Sequence, residues 1–552
     1  MRLILFFHVV FAVLFLSFFL SLGDVSANDV QAVNSAPTVS NDVQAVSDTV
    51  PEFAGNVTLE EWKKYSEWFE TLPAEQKDWE ELLQKNLGAG FYFPIYLKGR
   101  IKGHYSLENP GDWGFVEDDP KLPRVLLIGD SISRSCTSFI RQELEGIANV
   151  HRAPANCGSA GNIIKKFNDW QPETVRKETK RWDIIYFNAG IHDRGHGAEE
   201  YEKNLRELVT LLKKQGAVLI FARTTPCRDK ENALELYQRF NEIAEKVMAE
   251  NGIQIDPIDL EVKDRLDELQ TNDRVHFNGE GQKVLAAKSA ETIRKAVEDL
   301  NKETEKYQPC PTPQRITRKE WIEYMKLVES LPEDQRKWEQ LHIKYEGYHG
   351  LLWYLRPRLS GAYTPENPGI WGMLKDDPAL PRVMVIGDSI SLGYTMQVRK
   401  ALEGKANVHR PPCNCGPTVS GLNGMDDWLG EGKWDVIQFN FGLHDRRRSL
   451  EEYLSNLQKL IDRMKRTGAV LIFANTTPCT NEEDLIGKVE EMNAAAEELM
   501  RKNGVLINDF YALLAPNYET LVGKDKCHYS AAGSEIMGNA TVEMIEKHLP
   551  KK

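Results

Sequence analysis

The chain has 552 residues, of which 41% are hydrophobic and 27% charged, a composition typical of two large globular domains rather than one. The formal net charge of −13 excludes the basic surface that binds nucleic acid, and it gives no attraction to an anionic membrane. Neither a nucleic acid nor a membrane surface is therefore an expected partner of the folded domains.

The first segment has the pattern of an export signal. Arg2 precedes an apolar run over residues 3–22, and small residues follow in Val25-Ser26-Ala27. We expect residues 1–27 to be a signal peptide and the protein to be secreted or periplasmic, with an uncleaved membrane anchor as the alternative. Residues 28–55 contain Asn-Asp-Val-Gln-Ala-Val twice and few large apolar groups, which predicts a disordered linker.

A helical section rich in aromatic residues follows, and it returns in the second half. Trp62 and Trp79 lie on apolar stretches with helical spacing, and Trp321 and Trp338 occupy matching places. We interpret these residues as core packing, with an aromatic wall beside a sugar-binding cleft as the alternative. The Trp113 loop, Asn109–Gly114, is a second candidate for such a wall, against the plainer role of filling the core.

The second half of the chain repeats the first over about 240 residues, which indicates a duplicated domain. In each copy strand candidates alternate with amphipathic helical stretches, and this order predicts a parallel sheet covered by helices on both faces. The strands predicted in the first copy are Val125–Ile128, Asn149–Arg152, Trp182–Asn188, Ala217–Arg223 and Ile253–Ile258. The predicted domains are 56–301 (helical section 56–120, core 121–301) and 315–552 (helical section 315–378, core 379–552), joined by a Pro-rich linker, 302–314.

Two short motifs in each copy carry the chemistry. The first predicted strand ends in Gly129-Asp130-Ser131, and the second copy has Gly387-Asp388-Ser389. A serine just past the carboxyl end of a parallel strand lies where open α/β sheets build their sites. Near the end of each copy, Asp273–His276 and Asp525–His528 place a carboxylate three residues before an imidazole. One such pair alone favours a helix cap near a surface histidine, but its repetition downstream of Gly-Asp-Ser predicts a nucleophile, a base and an orienting carboxylate.

Each half resembles an SGNH (GDSL-type) hydrolase, from a subgroup with a Gly-x-His-Asp block III. The resemblance covers about 180 residues per half. It implies an α/β fold class, with two tandem flavodoxin-like three-layer α/β/α domains, and an esterase reaction that uses neither a cofactor nor a metal. The residues that it implies are the nucleophiles Ser131 and Ser389, the bases His276 and His528, and the orienting Asp273 and Asp525.

The oxyanion hole departs from the family pattern. The block II glycine of the family corresponds to Gly161 in the first copy but to Val419 in the second. A valine N–H can still donate where its backbone conformation and bulk allow it.

Block III, usually Gly-x-Asn-Asp, reads Gly190–Asp193 and Gly442–Asp445 here. His192 and His444 therefore replace the family's asparagine, and a neutral imidazole N–H would serve the same oxyanion. The alternative amide donors stand at the strand ends: Asn188 and Asn440.

Eight cysteines in an exported chain favour disulfides, and their spacing matches no zinc site. Cys157 and Cys415 stand in the block II loops, while Cys227 and Cys479 follow the strands that end in Thr-Thr-Pro. Both places belong to the carboxyl edge of a sheet, so we expect Cys157–Cys227 and Cys415–Cys479 disulfides to brace the rim of each site.

The leading hypothesis is a tandem, exported serine esterase whose substrate is a small-molecule or carbohydrate ester, with short acyl groups such as acetyl favoured. A lipase or thioesterase of the same family is the first alternative. A metal-dependent hydrolase with His192, Asp193, Asp273 and His276 as ligands is a second, although it leaves the repeated Gly-Asp-Ser unexplained. A binding or scaffold protein is the third.

Overall fold

The computed structural model describes residues 49–345, 350–364, 367–482 and 487–550. These residues form two compact units. The first unit comprises residues up to 331 together with 355–359, and the second comprises 332–354 and the residues from 360 onward. No helix within these ranges is long and apolar enough to cross a membrane. The predicted signal peptide, residues 1–27, lies outside the described residues, as does most of the predicted disordered linker, residues 28–55.

The first unit contains one parallel sheet of five strands in the order β2-β1-β3-β4-β5. Its strands are β1 Arg124–Ile128, β2 Asn149–Arg152, β3 Ile184–Phe187, β4 Val218–Ala222 and β5 Gln254–Asp256. All five strands predicted for this copy are present: Asn149–Arg152 has the predicted bounds, and the ends of the other four differ by at most two residues. The order reverses direction beside β1, and such switch points are where open α/β sheets bind ligands at the carboxyl ends of their strands.

The helices of the first unit surround this sheet. They are α1 Leu59–Glu70, α2 Ala74–Leu87, α3 Phe93–Ile101, α4 Ser131–Glu143, α5 Ala160–Lys166, α6 Glu173–Arg176, α7 Ala198–Lys213, α8 Ala233–Glu250, α9 Leu266–Leu269, α10 Gly279–Thr304 and α11 Arg318–Ser330. A π-helical turn, Gly88–Tyr92, joins α2 to α3, and a 3₁₀ turn, Ile191–Asp193, follows β3.

The core of this unit lies on both faces of the sheet because the central strands β1, β3 and β4 are almost entirely apolar. Val125 and Leu127 point to one face, where α4 and α10 pack, and Leu126 and Ile128 point to the other, where α5, α7 and α8 pack. This alternation is the period-two pattern of a strand whose two sides are both buried. The predicted three-layer α/β/α fold is thereby confirmed.

The helical section at the start of the first unit has its own aromatic core. Tyr65 and Trp79 are buried there, and the N–H of the Trp79 indole donates to the Trp113 carbonyl oxygen at 2.8 Å. The interpretation of these aromatic residues as core packing is confirmed. The disorder predicted as far as residue 55 is wrong for its last residues, since Phe53 packs edge-on against Trp62 and Ala54 is fully buried.

The second unit repeats the architecture, with its sheet in the equivalent order β7-β6-β8-β9-β10. Its strands are β6 Arg382–Ile386, β7 Asn407–His409, β8 Val436–Phe439, β9 Val470–Ala474 and β10 Leu506–Asn508. The helices after α11 are α12 Glu333–Tyr345, α13 Gly350–Leu359, α14 Ser389–Ala401, α15 Thr418–Leu429, α16 Leu450–Lys465, α17 Lys488–Lys502, α18 Phe510–Leu514, α19 Tyr518–Leu521 and α20 Ala531–His548. Two sheets of identical order are what the internal repeat predicts. The domain boundaries themselves stay a prediction.

Candidate active site

The Gly-Asp-Ser turn places a serine at the start of a helix. Ser131 is the first residue of α4, and the Asp130 side chain caps this helix by accepting the Ile132 N–H at 2.9 Å. The preceding glycine is required by space, because a Cβ on Gly129 would lie 2.6 Å from the Ser133 Cβ. The second unit repeats both features, with Asp388 as the cap of α14 and Ser391 against Gly387.

In the first unit the predicted nucleophile, base and orienting carboxylate lie together. The Ser131 hydroxyl is 2.8 Å from His276 Nε2, and His276 Nδ1 is 2.7 Å from Asp273 Oδ2. With a proton on Nδ1, the imidazole donates to the carboxylate and leaves Nε2 free to accept the serine proton.

The Asp273–His276 turn is held in shape by its own carboxylate. Asp273 Oδ1 accepts the N–H groups of Val275 and His276, both at 2.9 Å, and Oδ2 is thereby directed to the imidazole. Arg274 takes a left-handed conformation with φ of 58°, which lets the turn close within four residues. The hydrogen bond from His276 and the bond from the Val275 N–H hold the pKa of Asp273 far below its usual value, so the carboxylate is charged at neutral pH.

The second unit builds the same constellation. Ser389 Oγ is 2.8 Å from His528 Nε2, and His528 Nδ1 is 2.6 Å from Asp525 Oδ2. Lys526 has a φ of 57°, like its counterpart in the first unit. Burial opposes the charge on Asp525 more than any single contact favours it. The hydrogen bond from His528 and the backbone bonds together still lower its pKa.

A buried arginine outside the two motifs is hydrogen-bonded to the turn that carries Ser131. Arg152, the last residue of β2, is 0% exposed. Its guanidinium donates to the carbonyl oxygens of Gly129 and Asp130 at 2.9 and 3.0 Å, and to the Ser133 hydroxyl at 2.8 Å. Among the residues that the structure describes, no carboxylate accepts a hydrogen bond from this guanidinium. The positive charge therefore faces the turn that carries Ser131.

The same clamp exists in the second unit, where Arg410 donates to the Gly387 carbonyl oxygen at 2.8 Å and to the Ser391 hydroxyl at 3.0 Å. A tryptophan ring covers each guanidinium, with Trp113 5.1 Å and Trp371 4.8 Å from the respective arginine. Trp113 is the loop tryptophan considered for a sugar-binding wall, and Trp371 is its counterpart in the second unit. They are only 5% and 4% exposed, so they fill the core behind the clamp and the plainer interpretation is correct.

The oxyanion-hole candidates Gly161 and Val419 occupy the same place at the start of a helix. Gly161 is the second residue of α5, and Val419 is the second residue of α15. Helix N-termini present free N–H groups that suit an oxyanion. Since this position has ordinary helical geometry, it accepts valine, and the substitution in the second copy leaves the N–H available. The block II loop lies beside the nucleophile turn, because the Cys157 N–H donates to the Gly129 carbonyl oxygen at 3.1 Å.

The block III aspartates have a structural task. The Asp193 carboxylate accepts the Ala160 N–H at 3.1 Å, and Asp445 accepts the N–H and the hydroxyl of Thr418. Each carboxylate thus holds the N-terminus of the helix that carries the block II donor. Burial raises the pKa of Asp193 to about 6 and also raises that of Asp445.

The histidines and the asparagines proposed as oxyanion donors differ in the contacts of their side chains. His444 Nε2 lies 3.6 Å from Asp388 Oδ2, beside the nucleophile turn, and His192 is solvent-exposed on the matching 3₁₀ turn. Asn188 and Asn440 each donate from the side-chain amide to a carbonyl oxygen of the next strand, at 2.8 Å. The amides therefore join two strands, and the imidazoles are the freer of the two kinds of donor.

The predicted disulfides are wrong. Within the described residues no disulfide joins Cys157 to Cys227 or Cys415 to Cys479, and Cys157 and Cys227 lie in cores on opposite faces of the first sheet. In the second unit Cys415 packs in the core beside Cys413, whereas Cys479 packs against Cys527. Position at the carboxyl edge of a sheet does not decide which face a side chain joins, and the sequence argument overlooked this.

The rims of the two sites differ next to the serine. In the first unit Arg134, one helical turn after Ser131, forms an ion pair with Asp112 at 2.8 Å. The corresponding residues of the second unit are Leu392 and Ile370. Among the described residues no three His, Cys, Asp or Glu side chains are grouped in a way that could hold a metal ion.

Comparison with known proteins identifies part of the first unit. Residues 127–284 match the GDSL-like Lipase/Acylhydrolase family. The chain is similar to the solved lipase/acylhydrolase from Enterococcus faecalis, with 18% identity, a TM-score of 0.29 and coverage of 31% of this chain and 98% of that one. It is also similar to an acetylxylan esterase from Geobacillus stearothermophilus, with 16% identity, a TM-score of 0.26 and coverage of 30% and 94%. No curated protein matches the chain. The matched region, residues 127–284, contains the first Ser-His-Asp constellation, and the family that it matches is one of lipases and acylhydrolases.

Proposed function

We propose that the protein is an exported serine hydrolase with two active sites, which cleaves carboxylic esters and removes short acyl groups such as acetyl from carbohydrate. One observation carries the proposal. In each unit a serine hydroxyl lies 2.8 Å from the Nε2 of a histidine whose Nδ1 faces a carboxylate. This is the geometry of nucleophile, base and orienting group in acyl transfer.

The reaction follows from the proton positions. His276 Nε2 takes the Ser131 proton as the serine oxygen attacks the ester carbonyl carbon, and Asp273 stabilises the resulting imidazolium. N–H groups at the start of α4 and α5 stabilise the oxyanion. The imidazolium then protonates the leaving alcohol, so that an acyl-enzyme remains. Water, deprotonated by His276, attacks the acyl carbon, and the carboxylic acid and free Ser131 are released.

The preference for a short acyl group on a bulky alcohol rests on how open the site is. The His276 and Asp273 side chains are 43% and 52% exposed, and those of His528 and Asp525 are 53% and 42% exposed. An open site admits an ester that projects from a polymer, whereas a long acyl chain needs a deep apolar cavity to leave water. Export, expected from residues 1–27, would bring the enzyme to extracellular polymers.

The test is the hydrolysis of p-nitrophenyl acetate by Ser131→Ala, Ser389→Ala and the double variant. Each single change removes one site's share of turnover and the double change abolishes turnover. Ser135→Ala is the matched control, because the Ser135 hydroxyl donates to the Ile132 carbonyl oxygen on the same helix and takes no part in the Ser-His-Asp constellation. Substantial turnover by the double variant would refute the assignment.

The alternatives are separated by three further measurements on the same variants. Acetylated xylan and a series of p-nitrophenyl esters of rising chain length distinguish a carbohydrate esterase from a lipase or thioesterase. Labelling of Ser131 and Ser389 by a phosphonate, with activity that resists EDTA, distinguishes a serine hydrolase from a metal-dependent one. A chain that neither hydrolyses any ester nor reacts with the phosphonate would be a binding protein.

A further inference from the structure

Two cysteines of the second unit pack against each other beside the catalytic histidine. Cys479 lies on the segment that follows β9, and Cys527 lies within the Asp525–His528 turn. They are 4% and 5% exposed and form a small cluster with Leu443. The Cys479 thiol donates to Asn481 Oδ1 at 3.1 Å, and its side chain packs against that of Cys527. A thiol pair is thus built into the turn that positions the base.

A backbone hydrogen bond joins the two segments that carry Cys479 and Cys527. The N–H of Thr480, the residue after Cys479, donates to the carbonyl oxygen of Lys526, the residue before Cys527, at 3.0 Å. A disulfide requires Cα atoms within about 7 Å and Cβ atoms that face each other. Two side chains in contact, next to a backbone hydrogen bond, meet this requirement with little movement.

The first unit has the same turn without the pair. There the Arg228 N–H donates to the Arg274 carbonyl oxygen at 2.9 Å, which matches the bond in the second unit. Cys227 stands at the place of Cys479, but Val275 stands at the place of Cys527. The cysteine in the catalytic turn is therefore particular to the second unit, and the first unit provides a natural reference.

We propose that Cys479 and Cys527 form a disulfide that ties the base-bearing turn of the second unit to the segment after β9. The oxidant is a small disulfide such as glutathione disulfide. One protein thiolate attacks a sulfur of the oxidant and releases one thiol, and the second cysteine then displaces the other thiol from the mixed disulfide. The protein loses two electrons and two protons, and the oxidant becomes two thiols.

Interaction with the Cys527 thiol lowers the pKa of the Cys479 thiol. A lower pKa favours the thiolate, so we expect Cys479 to be the group that attacks the oxidant. The bond would restrict the opening of the Asp525–His528 turn. We therefore expect the oxidised second site to outlast the reduced one on heating by about tenfold, since disulfides that close long loops strongly limit unfolded states. This consequence rests on the proposed function, whereas the bond itself does not.

The bond is tested by mapping. The full chain is equilibrated in glutathione buffers of increasing oxidising power, natively and after refolding, and free thiols are alkylated before digestion and mass analysis. We expect a peptide pair linked through Cys479 and Cys527, with Cys227 alkylated. Alkylation of both cysteines in the most oxidising buffer, or a link from Cys479 to Cys415, would overturn the proposal.

The role of the bond is tested by heat inactivation. Ser131→Ala isolates the second site and Ser389→Ala isolates the first. Dithiothreitol should shorten the half-life of the second site only, and Cys527→Val, which installs the residue of the first unit, should remove the difference. Equal half-lives of the oxidised and reduced second site would overturn the stabilising role. If neither serine variant hydrolyses esters, the proposed function fails, while the mapped bond still stands or falls by itself.

Discussion

Arg152→Met tests whether the buried guanidinium positions the nucleophile. Methionine has a similar length and keeps the contact with the Trp113 ring, but it donates no hydrogen bond. The change removes the three bonds from Arg152 to the Gly129 and Asp130 carbonyl oxygens and to the Ser133 hydroxyl. These bonds fix both sides of the turn that presents Ser131.

The cost in folding free energy should be modest. Three hydrogen bonds from a charged donor contribute about 1.5–3 kcal/mol each, but burying a charge without a carboxylate partner costs several kcal/mol, and the methionine variant avoids that cost. Both carbonyl oxygens also keep a second donor, from the Cys157 N–H to Gly129 and from the Arg134 N–H to Asp130. The Arg152 Nε has no acceptor within the described part of the chain. We expect the free energy of unfolding to fall by about 1–3 kcal/mol.

The cost in activity should be larger. A displacement of the reacting oxygen by about 1 Å lowers a rate by about 10²-fold, equivalent to about 3 kcal/mol of transition-state stabilisation. In the Ser389→Ala background, kcat for p-nitrophenyl acetate should therefore fall by about 10²-fold with little change in KM, because Arg152 does not touch the substrate.

Arg152→Lys is the matched control, since it keeps the charge but can reach fewer acceptors than the planar guanidinium, and it should lie between the wild type and the methionine variant. The measurements are urea unfolding and steady-state kinetics on the same preparations. A methionine variant with wild-type kcat would refute the positioning role. A loss of more than about 5 kcal/mol in unfolding free energy would instead assign Arg152 to stability.

Two further predictions concern the loop after β3. Gly190→Ala should abolish activity of the first site and lower the melting temperature, because the alanine Cβ would lie 2.0 Å from Thr224 Oγ1. Adding Thr224→Ala should restore part of the activity and part of the melting temperature. A double variant without this rescue would contradict the steric explanation. Asp193→Asn tests the pKa of about 6. Since the folded chain keeps a proton that the unfolded chain loses above about pH 4, this carboxyl reduces stability as pH rises to about 6, by up to about 3 kcal/mol. Urea unfolding should show wild type losing stability relative to Asp193→Asn between pH 4 and pH 7, and the opposite trend would refute the shift.

The fold was predictable because its signals are local and repeated. The strands Arg124–Ile128 and Val218–Ala222 follow from their apolar runs, and alternation of strands and helices leaves few topologies. The folded end of the predicted disordered linker, residues 28–55, could not be predicted in this way. Phe53 is a single aromatic residue in a polar stretch, and its packing against Trp62 depends on a surface that only the folded helical section provides.

The site was predictable as far as its residues are close in sequence or repeated as motifs. Asp273 and His276 share one turn, so their contact follows from spacing. The Cys157–Cys227 pairing was wrong because the face that each side chain joins depends on loops of irregular geometry. Arg152 was missed although a signal exists, since a charged residue ends an otherwise buried strand at the same place in both halves.

Because the chain contains two copies of the site, the residues that the two units share can be compared with those that differ. The clamp of arginine and tryptophan behind each serine is the same in both units, and it acts on carbonyl oxygens that every residue type possesses. In front of the serine, the Arg134–Asp112 ion pair is replaced by Leu392 and Ile370. The first pair is charged and its counterparts are apolar, so the two units differ in polarity one helical turn after the serine. On the proposed function, we expect the ester bond to be cleaved by the parts that do not vary between the units, and the group attached to that bond to be selected where they do.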